Sequence, residues 1–228
     1  MTVSPSLTRD ELAAMIDHTL LAPEATTRDV AALCAEAREL GVYAVCVSPT
    51  MAGLAAREVA GTPIAVAAVA GFPSGAHSAA TKAAEAALAA TAGAAEVDMV
   101  INLGLAKEGR WTEVAEEIRT VRESVPAPVI LKVIIETGIL DPNETVDACL
   151  AAEASAADYV KTSTGFHPSG GATTDAVALM AKTVAPRLGV KASGGIRSAA
   201  SALAMVQAGA TRIGASRSAA ILAELPGR

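Results

Sequence analysis

Apolar runs rich in Val, Ile and Ala alternate along the chain with longer segments whose apolar positions recur at helical spacing. The runs carry few polar residues, which is typical of strands buried on both faces of a parallel sheet. Strands are predicted at residues 16–21, 44–48, 64–71, 96–101, 129–135, 159–164, 190–193 and 212–216. The clearest helices between them are predicted at residues 27–40, 78–92, 112–125 and 173–185.

This alternation favours a closed (β/α)8 TIM barrel over an open doubly wound α/β sheet. An open sheet is expected to carry a glycine-rich turn after the first strand, but the sequence there is TLLAPEAT. Glycines that precede several strands are expected to end helices in the left-handed conformation. They are Gly41, Gly61, Gly93, Gly189 and Gly209.

Length and composition support one domain. With 228 residues and 52% apolar content, the chain can bury a single large core, although a barrel of this kind typically has about 250 residues. No linker or low-complexity segment interrupts the pattern. The domain is therefore predicted to span residues 1–228, with residues 1–8 as a loose lead-in.

Charge and composition exclude several function classes. A net charge of −6 and 2% aromatic residues provide neither a basic patch nor stacking platforms for nucleic acid. No apolar run is long enough to span a bilayer, and no signal-peptide pattern is present. The 3 cysteines are widely spaced and odd in number, which favours a reducing compartment, so we expect a cytoplasmic protein. The 3 histidines lack metal-ligand spacing, and we expect no metal site.

Charged side chains lie inside the predicted strands, where burial is costly. Lys132, Lys161 and Lys191 occur in strands five, six and seven, and Asp98 occurs in strand four. Desolvation and a neighbouring cation both favour a neutral amine, which can attack a carbonyl and form a Schiff base. Lys161 is the better nucleophile candidate because hydroxyl residues follow it, with Lys191 as the neighbouring cation. The alternative is a structural ion network that fills the barrel.

A second pattern, in the last two strands, indicates anion binding. Loops after strands seven and eight of such barrels often hold phosphate with backbone N–H groups and a helix N-terminus. Arg197 or Arg217 would add positive charge. The alternative is that the glycines only end their strands. The residues concerned are Gly194, Gly195, Gly214 and Ser216.

Six motifs together resemble the deoxyribose-phosphate aldolase family, from about Leu12 to Ala220. They are DHTLL at residue 17, GFPSG at 71, EVDMVINLG at 96, LKVIIETG at 131, YVKTSTGF at 159 and VKASGGIR at 190. The resemblance implies reversible cleavage of 2-deoxy-D-ribose 5-phosphate into D-glyceraldehyde 3-phosphate and acetaldehyde. It also implies a class I mechanism that needs no metal or other cofactor.

The resemblance also implies roles for individual residues. Lys161 would form the Schiff base, Asp98 would relay protons, and Lys191 would be the second lysine. From the strand residues themselves, Asp98 is expected to lie between Lys132 and Lys161, so that Lys132 would hold Asp98 ionised and oriented. Gly165 would join the phosphate loops. The partners would be the sugar phosphate and acetaldehyde, and a homodimer is the default for such barrels.

Two positions depart from some family members. The chain ends ELPGR without a terminal Tyr, so no proton transfer from the tail is expected. Arg217 follows Ser216 where some members have a second Ser, and it has two readings, a phosphate contact or a solvated side chain.

Several weaker pocket candidates remain. Cys46 is better explained as a small buried hydrophobe than as a pocket residue, whereas Phe72 is equally suited to a pocket wall and to packing. Glu136 is expected to support the site or to start a helix. The other candidates are Asp17, Thr19 and Thr164.

Two other functions are alternatives to the aldolase. A sugar-phosphate isomerase of the same fold would share SGGIR and IGAS but would not need both Lys161 and Lys191. A catalytically silent phosphate-binding protein would have no use for these lysines and Asp98, because idle buried charges are destabilising.

Overall fold

Eight parallel strands pair in chain order, and the last also pairs with the first, so the sheet closes into a barrel. The computed structural model describes residues 7–226. The strands are β1 (Ile16–Leu20), β2 (Ala44–Val47), β3 (Ala65–Ala70), β4 (Glu96–Val100), β5 (Ile130–Ile134), β6 (Tyr159–Lys161), β7 (Gly189–Ser193) and β8 (Arg212–Ala215). The predicted (β/α)8 barrel is confirmed.

Helices follow every strand and form the outer layer. They are α1 (Arg9–Ala13), α2 (Thr27–Leu40), α3 (Ala52–Glu58), α4 (Ala79–Thr91), α5 (Leu103–Lys107), α6 (Trp111–Ser124), α7 (Pro142–Ala154), α8 (Thr174–Val184), α9 (Ala199–Gln207) and α10 (Ser218–Ala223). Capping residues fix several helix starts: Thr26 and Asp141 each accept a hydrogen bond from the backbone three residues later. The four helices predicted from spacing begin and end within one residue of their predicted bounds.

The main hydrophobic core lies between the outer face of the barrel and the helices. Val45, Leu131 and Ile213 of the strands belong to it, together with Ile118 and Met180 of the helices. A second, small apolar cluster consists of Cys46, Ala67 and Val69, with Leu21 and Phe72 packed against it. The charged strand residues are therefore left to fill most of the barrel interior.

Two local predictions were wrong. β6 ends at Lys161, so Lys161 is the last residue of its strand and not an interior one. Beyond the strand end, the N–H of Thr162 still donates to the carbonyl of Lys191 in β7, whereas the N–H of Thr164 points to the carboxylate of Glu136. Gly189 is not a left-handed cap either: it starts β7, and an added Cβ there would lie 2.2 Å from the ring of Tyr159.

The predicted lead-in falls only partly within the described residues. Residues 1–6 lie outside them. Thr8 is the N-cap of α1 and shares a capping box with Glu11, so a loose segment does not reach Thr8. Within residues 7–226, no helix combines the length and the apolar character that a bilayer crossing requires.

Candidate active site

A cavity of about 470 Å³ opens at the carboxyl ends of the strands. Its volume falls in the range typical of small-molecule sites. Parallel strands bring their following loops to this one end, so residues distant in sequence meet there. The predicted site residues that line it are Thr19, Lys161, Thr164, Gly165, Gly194, Gly195, Arg197, Gly214 and Ser216.

Beneath the cavity, ion pairs join charged side chains from six strands into one network, which we call the charge cluster. Each member is at most 4% exposed. Its members are Asp17, Glu96, Asp98, Lys132, Lys161, Lys191 and Arg212. Among these seven described residues, Lys161 alone also lines the cavity.

Asp98 lies at the centre of the charge cluster. Its Oδ1 accepts a hydrogen bond from Lys132 at 2.6 Å, and its Oδ2 accepts from Lys161 at 2.8 Å and from Lys191 at 2.7 Å. Burial would raise the pKa of this carboxyl, but the three lysines outweigh burial and hold it well below its usual value. The predicted position of Asp98 between Lys132 and Lys161 is what the structure has.

The pKa values of the three lysines in the cluster are shifted in different directions. Burial lowers the pKa of Lys161, with the charge of Lys191 acting in the same direction and Asp98 opposing both. Burial also disfavours the charge of Lys191 and Lys132, but their facing carboxylates outweigh it and raise the pKa of both. Lys161 is therefore the lysine that most readily loses its proton, and it is the one that reaches the cavity.

Asp17 makes more ion pairs than its sequence assignment as a pocket candidate suggested. It is fully buried, pairs with Lys191 and lies 2.8 Å from Nη1 of Arg212. Burial would raise its pKa, but Lys191, Lys132 and Arg212 together lower it to about 2. Asp17 therefore belongs to the charge cluster and not to the cavity wall.

The loops predicted to bind phosphate meet across the cavity. An added Cβ at Gly165 would lie 3.5 Å from Cα of Gly194, and the N–H of Ala172 donates to the carbonyl of Gly194 at 3.0 Å. Gly165, Gly194 and Gly195 all have positive φ, a conformation that glycine adopts without steric cost and that suits close approach of the backbone to a ligand.

Gly214 lines the cavity and also leaves space for the neighbouring side chains of Ser193 and Lys191. An added Cβ would lie 2.9 Å from Cβ of Ser193 and 3.2 Å from Cε of Lys191. The missing side chain thus gives Lys191 the space in which it reaches Asp17 and Asp98.

The remaining candidates divide between the cavity and its surroundings. Arg197 lines the cavity, whereas Arg217 does not and instead precedes α10 as its N-cap residue. Cys46 lies in the small apolar cluster, and burial raises the pKa of its thiol. The ring of Phe72 meets that of Phe166 edge to face, with centroids 5.3 Å apart.

Two members of the charge cluster, Glu96 and Arg212, were missed as site residues. Both are the first residue of their strand, which in the sequence resembles the polar edge of a buried run. The alternation in EVD, which places Glu96 and Asp98 on one face of β4, was the available signal. For Arg212 no signal was available, because its partners lie on β1 and β4.

Glu136 supports the mouth of the barrel. It is fully buried with a left-handed backbone, φ 55° and ψ 62°. Its Oε2 accepts a hydrogen bond from the hydroxyl of Thr164 at 2.6 Å, and both carboxylate oxygens receive the Thr164 N–H. A strained backbone kept beside a cavity is common at functional sites.

In the part of the chain that the structure describes, no group of three or more His, Cys, Asp or Glu side chains is arranged to hold a metal ion.

Known proteins are similar to this chain in sequence and in fold. Residues 12–223 match the model of the DeoC/LacD family aldolases. A relative from Nocardia farcinica named deoxyribose-phosphate aldolase is 58% identical over 219 residues, covering 96% of this chain and 96% of that protein.

Solved structures of similar proteins have the same fold as this chain. That of a protein from Coccidioides immitis superimposes with a TM-score of 0.92 at 41% identity, covering 97% of this chain and 88% of that chain. The tetrameric deoxyribose phosphate aldolase from Aeropyrum pernix has a TM-score of 0.83 at 34% identity, covering 95% of this chain and 91% of that chain. Since the family match spans the barrel from α1 to α10, this chain belongs to the DeoC/LacD family of aldolases.

Proposed function

We propose that this chain catalyses the reversible aldol cleavage of 2-deoxy-D-ribose 5-phosphate to D-glyceraldehyde 3-phosphate and acetaldehyde. The observation that carries the proposal is a buried amine of lowered pKa, Lys161, in the wall of a cavity of about 470 Å³. The Nocardia farcinica relative bears the name of this activity. The glycine loops around the same cavity suit a phosphorylated substrate.

The chemistry begins with the neutral amine of Lys161. It adds to the aldehyde carbon C1 of the open-chain sugar, and loss of water from the carbinolamine gives an iminium ion. When the C3 hydroxyl loses its proton, the electrons of the C2–C3 bond flow to the iminium. Glyceraldehyde 3-phosphate leaves, and an enamine remains on the lysine. Protonation of the enamine at C2 and hydrolysis then release acetaldehyde.

In this proposal, the side chains around Lys161 have the remaining roles in the reaction. Asp98, whose Oδ2 lies 2.8 Å from Nζ of Lys161, moves protons during dehydration and enamine formation, through a water molecule. Lys191 supplies the positive charge that keeps Lys161 neutral. Lys132 holds Asp98 ionised and oriented. Because the iminium is itself the electron sink, the mechanism calls for no metal or other cofactor.

The phosphate is assigned to the loops that carry the positive-φ glycines and to the end of β8. Gly165, Gly194 and Gly195 would offer N–H groups, and Gly214 with Ser216 would complete the site. Arg197 lines the cavity and is the better source of added charge than Arg217. Binding the phosphate here would position the distant carbonyl near Lys161.

The direct test is detection of glyceraldehyde 3-phosphate, formed from deoxyribose 5-phosphate, with a coupling enzyme. We expect turnover by the wild-type enzyme and a loss of at least about a thousandfold for Lys161→Ala. Lys182→Ala, which removes an exposed lysine of α8, is the matched control and should behave as wild type.

A trapping experiment separates the aldolase from an isomerase of the same fold. Borohydride added with acetaldehyde should reduce the Schiff base to a stable adduct, and mass spectrometry of peptides should locate it on Lys161. No adduct on the wild-type enzyme would favour the isomerase. Labelling of Lys161→Ala at the wild-type level would remove Lys161 from its assigned role.

We also propose that the enzyme is a cytoplasmic homodimer. Its three cysteines are free and buried, which suits a reducing compartment. The Aeropyrum pernix protein is described as tetrameric, so both assemblies need to be distinguished. Sedimentation velocity at several protein concentrations is the measurement, and a monomer or a tetramer would contradict the dimer.

A further inference from the structure

The amino-terminal end of the barrel is closed by Arg212 and Glu96. Nη1 of Arg212 lies 3.1 Å from Oε2 of Glu96. The guanidinium lies 3.6 Å from the ring centroid of Tyr43 and 5.4 Å from that of Tyr159. These contacts hold a fixed positive charge at the end of the barrel opposite the cavity. Neither Arg212 nor Glu96 lines the cavity.

Ion pairs connect this end of the barrel to the nucleophile. Arg212 pairs with Asp17 at 2.8 Å, and Asp17 pairs with Lys191. Lys191 and Lys161 then share Oδ2 of Asp98. On the other side, Glu96 lies 2.5 Å from Nζ of Lys132, which contacts the other oxygen of Asp98. Every link is a contact between buried charges, where screening by water and salt is weak.

The charge cluster is not electrically balanced when all its members are ionised. It contains four basic and three acidic side chains, which leaves one excess positive charge. Within residues 7–226, the other titratable groups that face it are the thiol of Cys46 and the phenols of Tyr43 and Tyr159, and none of these adds a positive charge. Loss of one proton therefore brings the cluster to neutrality.

One member of the charge cluster is the most readily deprotonated. An arginine does not release its proton in proteins, so Arg212 stays charged. The facing carboxylates raise the pKa of Lys132 and Lys191. Lys161 remains, and it is the member of the charge cluster that reaches the cavity. The excess charge thus acts on the amine that the reaction needs in its neutral form.

We propose that Arg212 and Glu96 are positioning residues that set the pH at which Lys161 becomes neutral, although neither touches the substrate. Arg212 disfavours the protonated amine and Glu96 favours it, and the two effects oppose each other through the ion pairs of the cluster. This inference rests on the proposed role of Lys161 as the Schiff-base lysine.

Single substitutions at the two residues should move the acidic limb of the pH profile in opposite directions. Glu96→Gln removes a negative charge at nearly constant shape, so the midpoint should fall by about one pH unit. Arg212→Met removes a positive charge, so the midpoint should rise by about the same amount. The double variant should return near the wild-type midpoint, and Arg212→Lys, which keeps the charge, should leave the midpoint unmoved.

Two measurements report the midpoint: kcat/KM for deoxyribose 5-phosphate over a pH series, and the amount of borohydride-trapped acetaldehyde adduct over the same series. Glu153→Gln is the matched control, because it neutralises a carboxylate of α7 that pairs with Arg187 outside the charge cluster. A purely structural role would slow the reaction or lower the melting temperature without moving the midpoint.

The outcomes separate this inference from the proposed function. Opposite shifts for the two single variants, cancelling in the double variant, support the inference. A midpoint for Glu96→Gln equal to that of Glu153→Gln overturns it, and this comparison decides the matter even if Arg212→Met does not fold. A wild-type enzyme that forms no adduct removes the proposed function and this inference with it. A wild-type adduct with unmoved midpoints removes this inference alone.

Discussion

The amines of Lys161 and Lys191 donate hydrogen bonds to one and the same carboxylate oxygen. That oxygen, Oδ2 of Asp98, lies 2.8 Å from the first amine and 2.7 Å from the second. Two buried ammonium groups this close repel each other, and the repulsion is relieved when one of them loses its proton. Asp17 also pairs with Lys191, which favours the charged form of Lys191 and makes Lys161 the amine that loses its proton more readily.

Replacing Lys191 should therefore change the pH dependence as well as the rate. In Lys191→Leu, we expect most of the activity to be lost and the acidic limb of kcat/KM to move to higher pH. The sign follows because loss of the neighbouring cation lets Lys161 keep its proton to higher pH. A variant with the wild-type rate and pH profile would disprove the electrostatic role of Lys191.

Gly214→Ala should disturb Lys191 without touching its charge. The new Cβ would lie 2.9 Å from Ser193 and 3.2 Å from Cε of Lys191, so one of them must move. We expect a loss of about 1–3 kcal/mol in the free energy of unfolding and reduced kcat. Urea titration and the coupled assay measure the two effects.

The control for this substitution is Gly53→Ala in α3. There the nearest atom would lie 3.7 Å from the new Cβ, which is ordinary van der Waals contact. Alanine is also the better helix former, so stability should be unchanged or slightly higher. Equal stability of the two alanine variants would count against the steric argument for Gly214.

Glu136→Gln should weaken substrate binding more than it slows the chemistry. The carboxylate of Glu136 holds both the N–H and the hydroxyl of Thr164, next to Gly165 of the cavity wall. A glutamine keeps one acceptor oxygen and replaces the other with a donor. Hydrogen bonds to charged groups contribute about 1.5–3 kcal/mol, so we expect KM to rise about tenfold or more with a smaller change in kcat. An unchanged KM would show that this contact does not position the loop.

Acid should unfold the protein partly through Asp17. Its pKa is lowered to about 2 in the fold, so it stabilises the native state above the usual aspartate pKa and loses that effect as pH falls toward 2. The shift corresponds to about 2 kcal/mol. We expect the free energy of unfolding to fall between about pH 4 and pH 2. In Asp17→Asn, which is less stable at neutral pH, this part of the pH dependence should be missing, as urea titrations over that range can show.

The sequence located the strands well because each is a short apolar run that ends at a glycine or a polar cluster. Lys132 and Lys191 lie at the centre of their strands as predicted. The end of β6 was harder to place. YVKTSTG continues the β-branched pattern past Lys161, and the contact of its Thr164 with Glu136, 28 positions away, is not visible in the sequence.

The sequence pattern also did not predict the backbone conformations of Glu136 and Gly189. The carboxylate of Glu136, whose backbone is left-handed, makes a buried contact with Thr164 in the loop after β6, and no local preference of glutamate suggests this conformation. Gly189 looks like an ordinary helix cap in the sequence, but its small size is used to accommodate the ring of Tyr159.

Periodicity and residue type were enough to establish the barrel, its order of elements and the chemical character of Lys161, because those features depend on neighbours along the chain and on the cost of burying charge. Which residues belong to the charge cluster was decided only by the tertiary structure. Closure of β8 against β1, together with the stagger of the strands, brings Arg212 to Asp17 and Glu96. Electrostatic interactions act through space, so the balance around the amine was fixed only when the sheet closed.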